Sequence, residues 1–241
     1  HHQKEGAGVR ENSIPYAAFG LVWKKFGEAL SGNREAAGRI DRVLVSPLDA
    51  SDNGVTLAEA VTSLPAEYTL SDMVDVFMPT FEEDVSEIDT AFMEAVLIAK
   101  RVILREIARS EAIISSRKEV ERAYEEAPDK RLIVFQKDYS WKETLPQFSE
   151  PLYVVHPTNR GVWFLMCVRD NPNTFINRKD LPKEWAGLRD AELAAVTGIT
   201  DAIFCHRNRF MAVARSKDGA IALARLALRA NTNNQETSSK Q

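Results

Sequence analysis

From Asp89 to Ala127 the chain keeps a single helical period, and after Pro128 that period is gone. Phe92, Val96, Ala99, Ile103, Ile107, Ile114, Val120 and Tyr124 fall on roughly one face of such a helix, with Lys, Arg and Glu opposite. Pro128 has no N–H to continue the ladder and stops it. The run exceeds an ordinary globular helix, so a break is expected near Ser115–Ser116. Beyond it, RLIVFQ (131–136), PLYVVHP (151–157) and VWFLMCVR (162–169) are short β-branched or aromatic runs bounded by Pro, Asn and Gly. They predict strands, the last two joined as a hairpin across Thr158–Gly161. LRDAELAAVTG (188–198) predicts a short helix ended by Gly198. DAIFCHRNRFMAVA (201–214) predicts two more strands around a turn at Arg207–Asn208, and SKDGAIALARLALRA (216–230) a last amphipathic helix capped by Ser216. The tail after it is polar and expected to be disordered. A chain that is helical first and mixed afterwards belongs to the α/β class, with a boundary expected near residues 125–130.

Upstream, residues 14–30 predict a helix with Pro15 in its first turn and an apolar stripe of Tyr16, Phe19, Val22, Trp23 and Phe26, ended by Gly27. The segment RVLVS (42–46) suggests a short strand that delivers Asp49 into the turn-rich DASDNG. In residues 69–81, Ser71 is the expected cap of a short helix.

With 241 residues and 44% hydrophobic side chains, the chain can bury one large core or two small ones. A net charge of −4 excludes a protein that coats nucleic acid through bulk charge, so any such site must be a local basic patch. Cys167 and Cys205 lie in apolar runs without zinc-like spacing and are expected to be reduced core residues. No apolar run reaches the roughly 18 residues of a membrane helix, and no signal peptide is legible, so a cytoplasmic address is expected.

Two constellations could carry chemistry. His1 and His2 are adjacent, and Asp49 and Asp52 follow in a turn-rich string. Imidazole with carboxylates suits a divalent transition metal such as manganese or iron. Read alone, the histidines could equally be a tag remnant and the aspartates mere turn formers. His206 and Arg209 on a turn could grip a phosphate, with Arg207 and Arg215 adding positive charge; a capping histidine with solvated arginines is the plainer alternative. His156 before a proline is expected to be structural, and Trp23, Trp163 and Trp185 are expected to be packing residues, with base stacking by Trp141 or Trp185 as the alternative.

The opening HHQKEGAGVRENSIPYAAFGLVWKKFG resembles the segment of the melanocyte-proliferating-gene family that begins DHHQ, continues through an RENGIPYA-like string and enters an aromatic helix. LDASDNG (48–54) is similar to the family's Asp-Ala-x-Asp-Asn-Gly string. The stretch LPKEWAGLRDAELAAVTGITDAIFCHRNRFMAVARSKDGAIALARLAL is similar to its closing segment, although Ala212 and Val213 stand where paired glycines are common. Residues of about 60–180 match loosely.

The resemblance implies a member of the DHH (Asp-His-His) phosphoesterase superfamily beginning inside its naming motif. The expected layout is the remainder of a DHH-type α/β domain (1–60), a helical connector (61–128), a mixed-sheet DHH-associated-like domain that holds substrate (129–230), and the tail (231–241). It implies native His1 and His2, metal binding by His1, His2 and one of Asp49 or Asp52, and catalytic roles for His1, His2 and Asp49. Substrate contacts are implied at His206, Arg209 and Arg215, expected on one rim. The cofactor implied is Mn2+ or Mg2+, and the activity 3′→5′ exonuclease action on RNA or a short oligonucleotide, with homo-oligomers allowed. Because the sequence lacks the preceding aspartate and the upstream ligands, these 241 residues alone are expected to be inactive. A non-catalytic nucleic-acid- or protein-binding module is the alternative.

Overall fold

The computed structural model describes residues 8–57, 68–171 and 174–230. His1, His2 and the tail 231–241 lie outside them. The chain separates into two compact units, His1–Ile114 and Ser115–Gln241.

The first unit is helical: α1 (Ala18–Ser31), α2 (Arg34–Ile40), α3 (Ser46–Asp52), α4 (Leu70–Asp75) and the first part of α5 (Ile88–Glu126). Asn33 caps α2 by accepting from the N–H groups of Glu35 and Ala36. Between α2 and α3, Asp41–Val45 forms a π-helical turn, so the RVLVS segment expected as a strand is helical. Burial decides it: Ile40 and Val45 pack with Trp23 in a small core joined by Phe19, Leu44, Ile103 and Ile107, while Val43 is exposed. That packing needs a helical period and overrides the β preference of the two valines.

Helix α1 also turns otherwise than its aromatic stripe suggests. Its buried residues are Gly20, Trp23, Gly27 and Ser31, whereas Val22 and Phe26 face out. Small residues let neighbouring groups come close on that side. A Cβ on Gly27 would stand 2.7 Å from the Trp23 ring, so Gly27 is a packing residue inside the helix. The helix ends at Gly32, which takes the left-handed conformation with φ +64°. The cap of α4 is Thr69, not Ser71: its hydroxyl accepts from the N–H of Asp72, whose carboxylate answers the N–H of Thr69. Helix α5 runs unbroken through Ser115–Ser116, since neither Gly nor Pro interrupts it.

The second unit is built on a five-stranded mixed sheet in the order β1-β2-β3-β5-β4. The strands are β1 (Leu132–Val134), β2 (Tyr153–Pro157), β3 (Trp163–Cys167), β4 (Ala202–Cys205) and β5 (Met211–Ala214). The β2–β3 and β4–β5 hairpins form where the turn residues predict them, both antiparallel. β1 lies parallel to β2, which a hairpin cannot achieve; residues 135–152 make the crossover. Both faces of the sheet are covered. Tyr153, Val155, Leu165, Cys167, Ala212 and Ala214 pack with Leu223, Ala224 and Ala227 of α7 (Lys217–Arg229) and Leu193 of α6 (Asp190–Thr197). Ile133, Val154 and Val168 pack with Val120 of α5, Phe135, Trp141 and Leu145. Burial on both sides explains why successive residues of β2, Tyr153 to His156, are all buried rather than alternating.

Gly198 ends α6 at φ +72° and Ser216 caps α7, both as expected. Cys167 and Cys205 are free and buried. Among the described residues, no helix is long and apolar enough to cross a membrane.

Candidate functional site

In the first unit the Asp-rich string is organised by a turn that presents Arg10. The N–H of Arg10 donates to Ile14 O and that of Ser13 to Arg10 O, with Ser13 in the left-handed region at φ +65°. Asn12 braces the turn by accepting from the N–H of Ile14 and donating to Ser46 Oγ. Arg10 then reaches inward. Its Nε and Nη2 grip Asp41 at 3.0 Å, and Nη2 stands 2.7 Å from Asp49 Oδ2. Its guanidinium also covers the Tyr16 ring at 4.1 Å. Burial works against the Arg10 charge, but the hydrogen bonds to Asp41 and the adjacent charges of Asp41 and Asp49 outweigh it and hold its pKa above the ordinary value.

Asp49 lies inside α3, not at a strand end, and is 1% exposed. Its Oδ1 accepts the N–H of Gly20 at 3.0 Å. Its Oδ2 has no donor aligned for a hydrogen bond, although the Arg10 charge is in contact. Asp52, one turn later at the end of α3, is exposed. Asn53 closes the segment by donating to Asp49 O at 2.7 Å. The two aspartates thus differ in kind: one carboxylate is buried and paired with an arginine, the other is open to solvent. Among the described residues, no three His, Cys, Asp or Glu side chains come together as a metal set. The carboxylate best placed to be fixed as a ligand already faces a cation, so the described residues by themselves do not fit a divalent ion.

In the second unit, His206 and Arg209 lie together on the β4–β5 turn. The N–H of Arg209 donates to His206 O, and that of Asn208 to His206 Nδ1. Nδ1 therefore accepts, which leaves Nε2 to carry an N–H. Arg209 holds φ +57° to close the turn, and its Nη2 pairs with Asp180 Oδ2 at 2.8 Å. Arg215 is not brought to the same place. It follows β5, about 13 Å of strand at 3.3 Å per residue, and its Nη2 lies 3.8 Å from exposed Asp190. Arg189 does not pair with Asp190; its guanidinium covers Phe204 at 4.4 Å. Ala212 and Val213 are interior positions of β5, their side chains spent on packing.

His156 is structural. Its Nδ1 is 3.0 Å from Pro157 O and 3.1 Å from Asp138 Oδ1, and burial lowers its pKa despite the aspartate. Trp141 and Trp185 are 4% and 3% exposed, so neither is free to stack a nucleobase.

Sequence reasoning missed Arg10, Asp41 and Gly20, which determine the surroundings of Asp49. A Cβ on Gly20 would lie 1.8 Å from Asp49 Oδ2. A glycine between aromatics in a helix was the available signal. It also missed Asp201, which accepts from the N–H and Oγ of Ser216 at the start of α7. Gly219 is needed there, because a Cβ would stand 2.1 Å from the Asp201 carboxylate.

The architecture defines an α/β protein with a mixed five-stranded sheet in its C-terminal unit. A family model matches residues 1–228, and the chain belongs to that family, the MYG1 family, described as an uncharacterised protein family (UPF0160). The human protein named MYG1 exonuclease is 26% identical over 260 residues, covering 95% of this chain and 69% of its own length. A Schizosaccharomyces pombe MYG1 protein is 25% identical over 256 residues, covering 95% and 78%. A Dictyostelium discoideum MYG1 protein is 35% identical over 72 residues, covering 30% and 22%. No solved structure matches.

Proposed function

We propose that the chain belongs to a divalent-metal-dependent phosphodiesterase, a 3′→5′ exonuclease acting on single-stranded RNA. The observation that carries the reading is the family match from residue 1 to 228, with relatives that bear the name exonuclease. The RNA preference, the direction of cutting and the use of Mn2+ or Mg2+ rest on the motif resemblance. That resemblance would draw metal ligands from His1, His2 and the Asp49/Asp52 string. When bound, such an ion would supply an activated water. The chain's own contribution in the C-terminal unit is to bind: the Nε2–H of His206 and the arginines around it are donors suited to phosphate oxygens.

The test is digestion of 5′-labelled single-stranded RNA by the protein. Mn2+, Mg2+ or a chelator is supplied in turn. The expected result is a ladder shortening from the 3′ end when metal is present, abolished by chelation. Hydrolysis of no phosphodiester under any divalent ion overturns the reading. A non-catalytic nucleic-acid-binding role then takes its place; the ion pair that ties Asp49 to Arg10 favours that second reading.

A further inference from the structure

Six side chains from separate segments of the C-terminal unit stack into one ladder. The Arg169 guanidinium, just after β3, lies 5.0 Å from the Phe175 ring centre and 5.7 Å from that of Phe210. The His206 ring lies 4.3 Å from Phe210, and Phe204 lies 6.1 Å from His206 at 79°. Arg189 covers Phe204 at 4.4 Å and ends the series. A cation lies next to a ring at both ends, and the inner rings meet edge-on or tilted, so each inner ring has neighbours on both sides.

The outer end is different. Phe175 is 87% exposed, and only the Arg169 charge backs it. A large ring left almost wholly in water buries nothing for the fold. The cation behind it is fixed: Arg169 Nη1 donates to Thr174 O at 3.0 Å and Nε to Asn177 Oδ1 at 3.3 Å. Asn177 in turn donates to Asp180, the carboxylate that pairs with Arg209. The cation beneath the open ring is thereby linked through hydrogen bonds to the turn that carries His206, where exposed Arg207 adds charge.

The geometry points to Phe175 as a stacking platform for an unpaired nucleobase of a single-stranded nucleic acid, with the arginines around the ladder meeting its phosphates. This rests on the nuclease reading above and names the feature that would hold the strand. Each base offers a π-face, so such a platform accepts any sequence, and the cationic surroundings suit the backbone of a strand rather than a neutral apolar ligand.

The test measures binding of the 241-residue chain, in chelator, to two fluorescein-labelled hexamers: oligouridylate and an abasic sugar–phosphate of equal charge. The expected result is about 10-fold tighter binding of the base-bearing strand, the effect of roughly one stacked base. Phe175→Ala should erase that preference and leave the circular dichroism spectrum unchanged. Phe175→Trp should keep the preference, with its fluorescence quenched on binding. If both hexamers bind equally and Phe175→Ala changes nothing, the platform is overturned while the nuclease reading stands. If neither hexamer binds and the protein cuts no phosphodiester, both fall.

Discussion

Replacing Gly20 by Ala should destabilise the first unit, although Ala is ordinarily the better helix former. In an unconstrained helix interior the exchange favours folding by about 0.5–1 kcal/mol. Here the new methyl would stand 1.8 Å from Asp49 Oδ2, 2.6 Å from Arg10 Nη2 and 2.8 Å from Asp49 Cγ. Neither group can swing away at low cost. Asp49 is 1% exposed and accepts the N–H of Gly20 itself, while Arg10 is clamped on Asp41. Overpacking alone costs about 1–3 kcal/mol, and separating a buried charge from its partner about 3–5 kcal/mol. Partial relaxation, less the gain in propensity, leaves a net loss of about 2–4 kcal/mol, or roughly 5–10 °C in Tm. Gly38→Ala is the matched control: in α2 the nearest atom to its Cβ is Arg42 Nη1 at 3.9 Å, an ordinary contact. That variant should be as stable as the parent or more so. Thermal and urea unfolding followed by circular dichroism decides the matter. If Gly20→Ala unfolds at or above the midpoint of Gly38→Ala, the packing of Asp49 against α1 is wrong.

Ser13→Gly should stabilise the same unit by up to about 1 kcal/mol, since φ +65° strains a side-chain-bearing residue; an unchanged urea midpoint would show that the turn holds no strain. For His156, burial lowers the folded pKa, so the unfolded chain binds the proton first as pH falls. Stability is therefore fully present above about pH 6.5 and declines as pH falls from there toward the folded pKa; His156→Phe should flatten that part of the stability–pH curve, and an identical slope in the variant would contradict it. Burial pushes the Cys205 thiol up to about 12 and raises that of Cys167 as well. A disulfide-exchange reagent at pH 8 should label neither in the folded chain and both in guanidinium; native labelling at the unfolded rate would refute their burial.

The C-terminal unit was legible because its signals are local. Pro128, Gly198, Ser216 and the Thr158–Gly161 turn each act within a few residues, and the strands between them are short β-branched runs. What escaped is what depends on distant partners. The parallel register of β1 on β2 needs the crossover of residues 135–152, which no pattern in either strand announces. The 42–46 segment read as a strand because its valines suit one, but its fate was settled by Trp23, some twenty residues earlier in the chain. Tertiary packing outweighs a preference worth at most about 1 kcal/mol over the whole scale. The orientation of α1 escaped for a related reason: periodicity marks where apolar side chains lie, whereas the glycines marked where the backbone had to come close.

The candidate site was the least legible part because residue type does not say how a charge is already spent. Asp49 and Asp52 are equivalent as letters in LDASDNG, yet one is enclosed with a guanidinium and the other lies in water. A divalent cation and Arg10 would compete for the same buried oxygen, since two cations cannot share a low-dielectric site without strong repulsion. Arg10 has a second anchor: Asp41 takes its Nε and Nη2 in a forked contact that does not involve Asp49. The guanidinium can therefore stay buried and paired while Asp49 is neutralised or turned toward another cation, so Asp49→Asn should cost less stability than Asp41→Asn. Asp41, absent from any motif reading, then carries the greater share of the fold. Asp49 is the member of the network whose charge Arg10 can do without, because the forked contact with Asp41 remains.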